Sequence, residues 1–382
     1  MSVAAVKRLW SSPDLLGVEW ADGTLSEFAS VWLRDNLLDD RDPHSGQRLI
    51  DIADLPENPR IRSAVARNGT VQVEWEGESR TGAFELEWLL ASAANPCDGS
   101  TAFAPKLWLE GAGRDAVRDF AWATFADAHG NRSARAEWLT RLLQDGIAFL
   151  RDVPGGEAGI LDAASFMGRV SETNYGRVFE VRSVPQPENL AYSDLGLGLH
   201  TDNPYREPVP GFQVLHVLVA SPDGGESIFG DGFAIAEHLR AVYPDDFAIL
   251  TRTAVPFRYR SQDAELYAER PLIQLTCGGE VSAVHYNSRS IAPLRLGARD
   301  AAPFYRAYRR FAALLRDPRF QLRIMLRDGH LAVFDNQRTL HGRTAFSSAR
   351  HPRHLRGCYL TRDSVYSAAG LLQREFQQDT RR

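Results

Sequence analysis

The chain contains 382 residues, of which 44% are hydrophobic and 24% charged, a balance typical of a globular protein rather than a disordered or fibrous one. This length exceeds that of one compact core, so we expect a large and a smaller domain. The net charge of −5 excludes a general nucleic-acid binder, because such proteins need a basic surface to displace counterions from phosphates. The sequence has no apolar run of the roughly 18 to 20 residues that cross a bilayer and no secretory signal, so we expect a cytoplasmic protein with a small ligand and no membrane partner.

The three cysteines are isolated from one another at Cys97, Cys277 and Cys358. This spacing excludes a disulfide framework and a thiolate metal site of the CxxC kind. We therefore expect free thiols, most of them buried.

Short β-rich segments separated by turn signals fill the first hundred residues. The hydrophobicity of residues 15–33 alternates around an Ala-Asp-Gly turn, and a later stretch repeats the pattern. Residues 94–106 mix Asn, Pro, Gly and Ser without periodicity, which is typical of a connection between domains. We predict a small β-rich domain over residues 1–99 and a second domain over residues 100–382.

The second domain begins with helical patterns and continues with strands. Residues 114–130 and 133–145 have apolar residues at helical spacing, and the latter run through Gly146 into a strand-like segment. Beyond it, short β-branched or aromatic segments alternate with turns, and one amphipathic helix is predicted over residues 301–317. Many strands with a few flanking helices predict a mainly β domain built as a double-sheet jelly roll, rather than a doubly wound sheet.

Three residues form a candidate metal site. His200 and Asp202 stand two positions apart, so on a strand both side chains point to one face. This pair alone is weak evidence, but His341 follows a later predicted strand and can fold back onto it. Two histidines and one carboxylate leave three positions of an octahedral ion open, which suits Fe(II) that binds a bidentate co-substrate and O2. Beyond His341, Arg353 can pair with a carboxylate such as that of 2-oxoglutarate.

A series of motifs resembles the γ-butyrobetaine/trimethyllysine hydroxylase branch of the 2-oxoglutarate oxygenases over nearly the whole chain. The motifs are WLRDN, TNYG, LAY followed by HTDNPY, PGFQVLH, DGGES, DGF, FDNQRTLHGR and RHLRGCYLTRD. The resemblance implies a distorted double-stranded β-helix core and an N-terminal β-domain that helps to form a homodimer. It also implies Fe(II) chemistry that couples the decarboxylation of 2-oxoglutarate to C–H hydroxylation.

The N-terminal domain departs from this family in one respect. Family members often bind zinc through three cysteines just after WLRDN and one later histidine. This chain has Leu37, Leu38, Asp39 and Asp40 after that motif, and Ser79 near the position of the histidine. We therefore expect no structural zinc.

The resemblance also assigns a substrate pocket. A trimethylammonium group cannot donate a hydrogen bond, so it is recognised by aromatic faces whose negative quadrupoles surround the cation. The positions that match the family's aromatic cage are Tyr175, Phe179, Tyr192 and Tyr359. Phe179 stands where the butyrobetaine enzyme has a tryptophan, which retains a π face but weakens the interaction.

The opposite end of the substrate is expected to be an anion. Asn203 and Tyr205 follow the predicted iron ligands, and Asn287 and Arg289 lie in VHYNSRS. These side chains could bind a carboxylate or a phosphonate. HTDNPY resembles bacterial relatives, including those that hydroxylate 2-(trimethylammonio)ethylphosphonate. The alternative is that Asn203 caps a turn and Arg289 is solvated.

The co-substrate has its own candidate residues. Arg353 and Ser227 are predicted to bind the distal carboxylate of 2-oxoglutarate, Asn189 to contact either ligand, and Leu215 to line the pocket. Other polar residues near the motifs are interpreted as structural or packing groups: Asn336, His216, His285 and His354.

Three other functions compete with this interpretation. A serine or zinc hydrolase is disfavoured, because the sequence contains neither the GxSxG motif of the former nor the HExxH motif of the latter. A non-enzymatic jelly-roll binding module would be favoured if a metal ligand were missing, and none is. A trimethyllysine hydroxylase remains open, although the α-ammonium of that substrate calls for an acidic partner and Arg289 would repel it.

Overall fold

The computed structural model describes residues 5–93, 103–108, 120–182, 193–347 and 353–379. The chain divides into two compact units, Met1–Gly99 and Ser100–Arg382. Three of the residues singled out from the sequence lie outside the described ranges: Cys97, Asn189 and Tyr192. Within those ranges, no helix combines the length and the apolar composition that a membrane crossing requires.

The first unit is β-rich, as predicted. It contains two three-stranded antiparallel sheets, in the orders β1-β2-β3 and β4-β5-β6. Its elements are β1 (Val6–Ser12), β2 (Leu15–Trp20), β3 (Leu25–Ala29), α1 (Ser30–Asp35), β4 (Ile61–Arg67), β5 (Thr70–Trp75), β6 (Thr81–Glu85) and α2 (Leu86–Ser92). Alternate residues of β5, Val71, Val73 and Trp75, are fully buried, so period-two alternation directs one face of each sheet into the core.

A buried ion-pair network connects Arg34 of α1 to Asp40, which lies in the segment where the resembled family has its zinc ligands, and to Glu78. Arg34 is 5% exposed and donates to Oδ2 of Asp40 at 2.7 Å and to Oε2 of Glu78 at 2.9 Å. Arg80 donates to the other carboxylate oxygen of Asp40 at 2.7 Å. Each buried charge therefore has an opposite charge in contact, which is the condition for tolerating charges away from water.

We expect Arg34→Ala to destabilise the protein by about 3 kcal/mol or more, because the largely buried carboxylates of Asp40 and Glu78 both lose the guanidinium that pairs with them. The matched control is Arg48→Ala, which removes a half-exposed pair with Asp35 and is expected to cost less than about 1 kcal/mol. Urea unfolding of the full chain, followed by circular dichroism, measures both. Equal shifts in the two variants would contradict a stabilising role for the network.

The second unit contains fifteen strands and seven helices among the residues that the structure describes. The strands are β7 (Ala121–Thr124), β8 (Ile147–Arg151), β9 (Val170–Ser171), β10 (Phe179–Arg182), β11 (Leu197–His200), β12 (Phe212–Val219), β13 (Ser227–Asp231), β14 (Val255–Arg260), β15 (Glu265–Arg270), β16 (Ile273–Leu275), β17 (Val281–Val284), β18 (Gln321–Ile324), β19 (Leu331–Asp335), β20 (Thr339–Arg343) and β21 (His354–Leu360). The helices are α3 (Phe125–Gly130), α4 (Arg132–Asp145), α5 (Gly156–Met167), α6 (Gly232–Val242), α7 (Pro244–Arg252), α8 (Ala298–Arg316) and α9 (Arg362–Asp379).

Two sheets form the centre of this unit. The larger has the order β10-β21-β12-β19-β8-β7 with β9 beside β21, and the smaller has the order β11-β20-β13-β18. Phe229 of the smaller sheet packs against Phe149 and Phe334 of the larger one, with ring centroids 6.0 and 5.4 Å apart. The two sheets therefore face each other across an aromatic core, and the predicted jelly roll is confirmed.

The start of the second unit differs from the prediction in one element. Helical spacing predicts a helix over residues 114–130, but Ala121–Thr124 form strand β7, which pairs in parallel with β8. Trp122 stacks on Phe149 at 4.7 Å, so pairing with a buried strand outweighs the local helical pattern. Helix α3 begins only at Phe125, after the Thr124 hydroxyl accepts a hydrogen bond from the N–H of Asp127.

The junction between α4 and β8 follows the predicted pattern. Asn131 caps the start of α4, since its side chain accepts from the N–H groups of Ser133 and Ala134. The helix ends at Asp145, and Gly146 takes the left-handed backbone conformation with φ of 75° that a residue without a β carbon adopts freely. The chain then enters β8 directly, and this strand lies between β19 and the edge strand β7 of the larger sheet.

Candidate active site

Three metal-ligand side chains that are distant in the sequence converge in the second unit. His200 ends β11 and pairs with His341 on β20, so their imidazole centroids are 4.3 Å apart. The Nε2 atoms of His200 and His341 lie 3.3 and 3.9 Å from Oδ1 of Asp202. The structure thus brings the predicted ligand set together, with one donor atom from each residue within 4.8 Å of the others.

Neighbouring polar groups hold these ligands in place. The Tyr359 hydroxyl donates to Oδ2 of Asp202 at 2.8 Å. Asn336 is fully buried and accepts from the Asp202 N–H at 2.7 Å while donating to the Asp202 carbonyl oxygen at 3.0 Å. Nδ1 of His200 lies 3.0 Å from the carbonyl oxygen of Gly198, so Nε2 is the nitrogen directed at Asp202. Such partners fix the orientation of ligands before a metal binds.

The protonation states suit metal binding. Burial and the charge of His200 lower the pKa of His341 to about 3, so its ring is neutral at pH 7. Burial disfavours ionisation of Asp202, but the two histidines and the Tyr359 hydroxyl together lower the pKa of Asp202 below its usual value. A neutral imidazole and an ionised carboxylate are the forms that donate lone pairs to a divalent ion.

The donor set fits Fe(II). Two imidazole nitrogens and one carboxylate oxygen occupy part of an octahedral sphere and leave positions for a chelating co-substrate and O2. Among the described residues, His200, Asp202 and His341 are the one group of His, Cys, Asp and Glu side chains with ligand spacing.

The ligands lie in the wall of a cavity of about 480 Å³, a volume typical of small-molecule sites. Every predicted site residue within the described ranges lines this cavity. They are His200, Asp202, His341, Arg353, Ser227, Leu215, Tyr175, Phe179, Tyr359, Asn203, Tyr205, Asn287 and Arg289. By contrast, His216, His285 and His354 lie outside the cavity wall, in agreement with their interpretation as packing groups.

Buried cationic side chains form one region of the cavity wall. Ser227 and Arg343 are directly paired on β13 and β20, and the guanidinium carbons of Arg343 and Arg353 lie 5.4 and 5.8 Å from the ring centroid of Phe346. A β carbon at Gly225 would lie 3.0 Å from Cδ of Arg353, so glycine leaves space for this side chain. Burial and the charge of Arg343 lower the pKa of Arg353 to about 10, which still leaves it cationic at pH 7. This region suits the distal carboxylate of 2-oxoglutarate.

Aromatic rings form a second region of the wall. The ring centroids of Phe179 and Tyr359 are 5.0 Å apart, and those of Tyr175 and Phe179 are 6.4 Å apart. Tyr259 extends the group, since its ring lies 6.0 Å from that of Tyr175 and 5.2 Å from that of Tyr205. The rings therefore form one continuous aromatic wall.

Polar groups adjoin the aromatic wall. Oδ1 of Asn203 accepts from the Tyr205 hydroxyl at 2.6 Å, whereas its buried Nδ2 has no hydrogen-bond partner in the described part of the chain. Asn287 donates from Nδ2 to the carbonyl oxygen of Thr201 at 3.2 Å, so this N–H group serves the backbone. Arg289 lines the cavity and is also exposed to solvent. Its position therefore agrees in part with each sequence interpretation, as an anion-binding group and as a solvated side chain.

Sequence reasoning missed several residues of the cavity wall, among them Arg343, Gln213 and Tyr259. Arg343 stands two positions after His341 and Gln213 two positions before Leu215, so strand alternation carried a signal for both. The Oε1 atom of Gln213 is buried without a partner in the described residues. Tyr259 lies on β14, outside every recognised motif, and only the tertiary structure places it in the site.

Both units match known protein families. Residues 115–359 match the model described as Taurine catabolism dioxygenase TauD, TfdA family, and residues 8–90 match the model described as Gamma-butyrobetaine hydroxylase-like, N-terminal. The chain is 35% identical over 366 residues to a γ-butyrobetaine dioxygenase of Pseudomonas sp. (strain AK-1), with 94% of each chain covered. It is 26% identical over 377 residues to a trimethyllysine dioxygenase of Meyerozyma guilliermondii, again with 94% of each chain covered.

Solved structures show a more distant similarity. A crystal structure of asparagine oxygenase in complex with Fe(II), 2S,3S-3-hydroxyasparagine and succinate is 19% identical in sequence. The alignment covers 61% of this chain and 82% of that chain, with a TM-score of 0.48.

Proposed function

This chain belongs to the TauD/TfdA dioxygenase family, and on that premise we propose that it hydroxylates a small zwitterion carrying a trimethylammonium group, either γ-butyrobetaine or 2-(trimethylammonio)ethylphosphonate. The enzyme is a dioxygenase of the class that uses Fe(II) and 2-oxoglutarate. The single observation that carries the proposal is the continuous aromatic wall in the same cavity as the metal ligands. Aromatic faces attract a quaternary ammonium group, which has no N–H and therefore cannot donate a hydrogen bond to an acceptor.

The charge distribution of the cavity favours a substrate without an α-ammonium group. Asp202, a proposed iron ligand, is the one carboxylate among the described residues that line the cavity. Trimethyllysine would therefore bring a second cation to a wall that offers it no free acidic partner. The Nδ2 atom of Asn203 and the guanidinium of Arg289 can instead donate to a carboxylate or phosphonate.

The proposed mechanism assigns each part of the wall one task. His200, Asp202 and His341 hold Fe(II), and Arg353 with Ser227 binds the distal carboxylate of 2-oxoglutarate beside Leu215. Bound Fe(II), with 2-oxoglutarate and O2, supplies the oxidation that replaces a C–H bond by C–OH. The aromatic wall and the anion-binding groups then decide which carbon of the substrate lies nearest the metal ligands, so the protein contributes chiefly orientation.

An assay of substrate-dependent succinate formation tests the proposal. The purified enzyme receives Fe(II), 2-oxoglutarate and, side by side, γ-butyrobetaine, 2-(trimethylammonio)ethylphosphonate or trimethyllysine. We expect one of the first two compounds to stimulate succinate formation most strongly. A preference for trimethyllysine, or no stimulation by any of the three, would refute the proposed substrate class.

We expect Phe179→Leu to raise the KM of the trimethylammonium substrate about tenfold, because a desolvated cation–π contact contributes roughly 1 to 2 kcal/mol. The control is 5,5-dimethylhexanoate, in which carbon replaces the cationic nitrogen of γ-butyrobetaine. The unaltered enzyme should favour the cation over this neutral isostere, and the variant should lose part of that preference. An unchanged preference would remove Phe179 from the cage.

We also propose that the enzyme forms a homodimer, on the strength of the family to which it belongs. Size-exclusion chromatography with light scattering tests this, since a dimer has twice the chain mass of 42.6 kDa. Elution at the mass of one chain would contradict the proposal.

A further inference from the structure

Tyr259 joins the aromatic wall from strand β14, which carries no recognised motif. Its ring is stacked on that of Tyr205, with centroids 5.2 Å apart and an interplanar angle of 19°. It also meets Tyr175 edge-on at 6.0 Å and 67°. Stacked and edge-on pairs restrict how a ring can turn, so Tyr259 confines Tyr205 to one orientation.

A chain of hydroxyl groups connects this aromatic packing to Asn203. The Tyr205 hydroxyl donates to Oδ1 of Asn203 at 2.6 Å. The hydroxyl oxygens of Tyr175 and Tyr205 are 3.4 Å apart. Because the proton of Tyr205 is already engaged with Asn203, Tyr175 is the donor in this second contact.

The direction of the chain decides which end of the Asn203 amide faces the cavity. An oxygen that accepts from Tyr205 leaves the NH2 group as the free end. That nitrogen is buried and has no partner within the described part of the chain. A buried donor without a partner is costly, so a ligand acceptor at this point would be bound strongly. If the amide were reversed, its oxygen would face the ligand and repel an anion.

We propose that Tyr259 is a positioning residue that determines selectivity for the anionic end of the substrate. By holding the Tyr205 ring, it keeps the Asn203 amide turned so that its NH2 group donates to the carboxylate or phosphonate. This inference rests on the proposed function, because the anion is that of the trimethylammonium zwitterion.

A double-mutant cycle separates this role from direct contact. The variants are Tyr259→Leu, Asn203→Gly and the combination of the two. Glycine is the suitable replacement at position 203, because the backbone there has φ of 53°, where other residues without the asparagine side chain are strained. If Tyr259 acts through Asn203, its replacement has no further effect once the amide is gone.

We expect Tyr259→Leu to raise the KM of the zwitterion about tenfold, and Asn203→Gly to raise it by about ten- to hundredfold, as for loss of a hydrogen bond to a charged group. The double variant should match Asn203→Gly within about twofold. Tyr259→Phe retains the stacked ring and should raise this KM less than Tyr259→Leu does. The KM of the co-substrate should be unchanged in Tyr259→Leu. A general structural defect would change this KM as well.

Two results would overturn this inference but not the proposed function. One is an unchanged KM in Tyr259→Leu, and the other is a double variant whose KM equals the product of the two single effects, since Tyr259 would then contact the substrate independently of Asn203. By contrast, an unaltered enzyme that turns over no trimethylammonium zwitterion would overturn the proposed function and this inference with it.

Discussion

Replacement of Asp202 by alanine is expected to lower substrate-dependent succinate formation by more than about 100-fold, because even the hydrogen-bonding partners of metal ligands cost 10- to 100-fold when they are removed. Asp202 supplies the one anionic donor of the cluster, 3.3 and 3.9 Å from the two imidazole nitrogens. His200→Ala should behave in the same way. Full turnover by either variant would refute their role as ligands.

Tyr359→Phe is the graded control for this experiment. It retains the aromatic ring and the Asp202 carboxylate and removes only the hydroxyl that donates to Oδ2 at 2.8 Å. We expect a loss of about tenfold, at the low end of the range for such partners. A loss as large as that of Asp202→Ala would mean that orientation by Tyr359, rather than ligation by Asp202, dominates the effect.

Replacement of Arg353 by glutamine is expected to raise the KM of the co-substrate, 2-oxoglutarate, by on the order of 100-fold, because truncating one partner of a buried charge pair costs about 2 to 5 kcal/mol. Arg353 is 9% exposed, so water cannot replace the lost charge at the co-substrate carboxylate. Steady-state kinetics in which the concentration of this co-substrate is varied measures the change.

The matched control for Arg353 lies three positions later, on β21. Arg356 points to the opposite face of the strand, where it donates to Oε1 of Glu180 at 2.6 Å. Arg356→Gln removes the same charge without altering the cavity wall, and the KM of the co-substrate should stay within about twofold of its original value. If both variants raised this KM equally, the effect would come from the strand rather than from the cation in the site.

The parts of the fold that sequence predicted best were those with one dominant local signal. The jelly roll followed from many short strands, and the family resemblance is confirmed by the matches of both units. The helix that ends before Gly146 was predicted because its periodicity and its stop signal agree. The residues of strand β7 were wrongly predicted to be helical, because the pairing of β7 with β8 is a tertiary interaction that the local spacing of apolar residues does not reveal.

In the candidate site, too, the residues that belong to sequence motifs were predicted, and those that depend on tertiary contacts were not. His200 and His341 were predicted from separate motifs, and the β11–β20 register supplies the proximity that no local pattern encodes. Tyr259 was missed because its strand carries no motif and its role depends on ring contacts with residues distant in the sequence. The hydrogen-bond direction at Asn203 was likewise inaccessible, since it depends on the contacts that the Tyr205 hydroxyl makes with Asn203 and Tyr175 in the folded structure.

The central claim is that His200, Asp202 and His341 hold one Fe(II) with enough open positions for 2-oxoglutarate to chelate it. Anaerobic titration with Fe(II) and 2-oxoglutarate, followed by visible charge-transfer absorption, tests this most directly. We expect the absorption to saturate at one equivalent of iron in the unaltered enzyme and to be lost in His341→Ala, with both proteins folded by circular dichroism. The same absorption and the same stoichiometry in His341→Ala would contradict the claim.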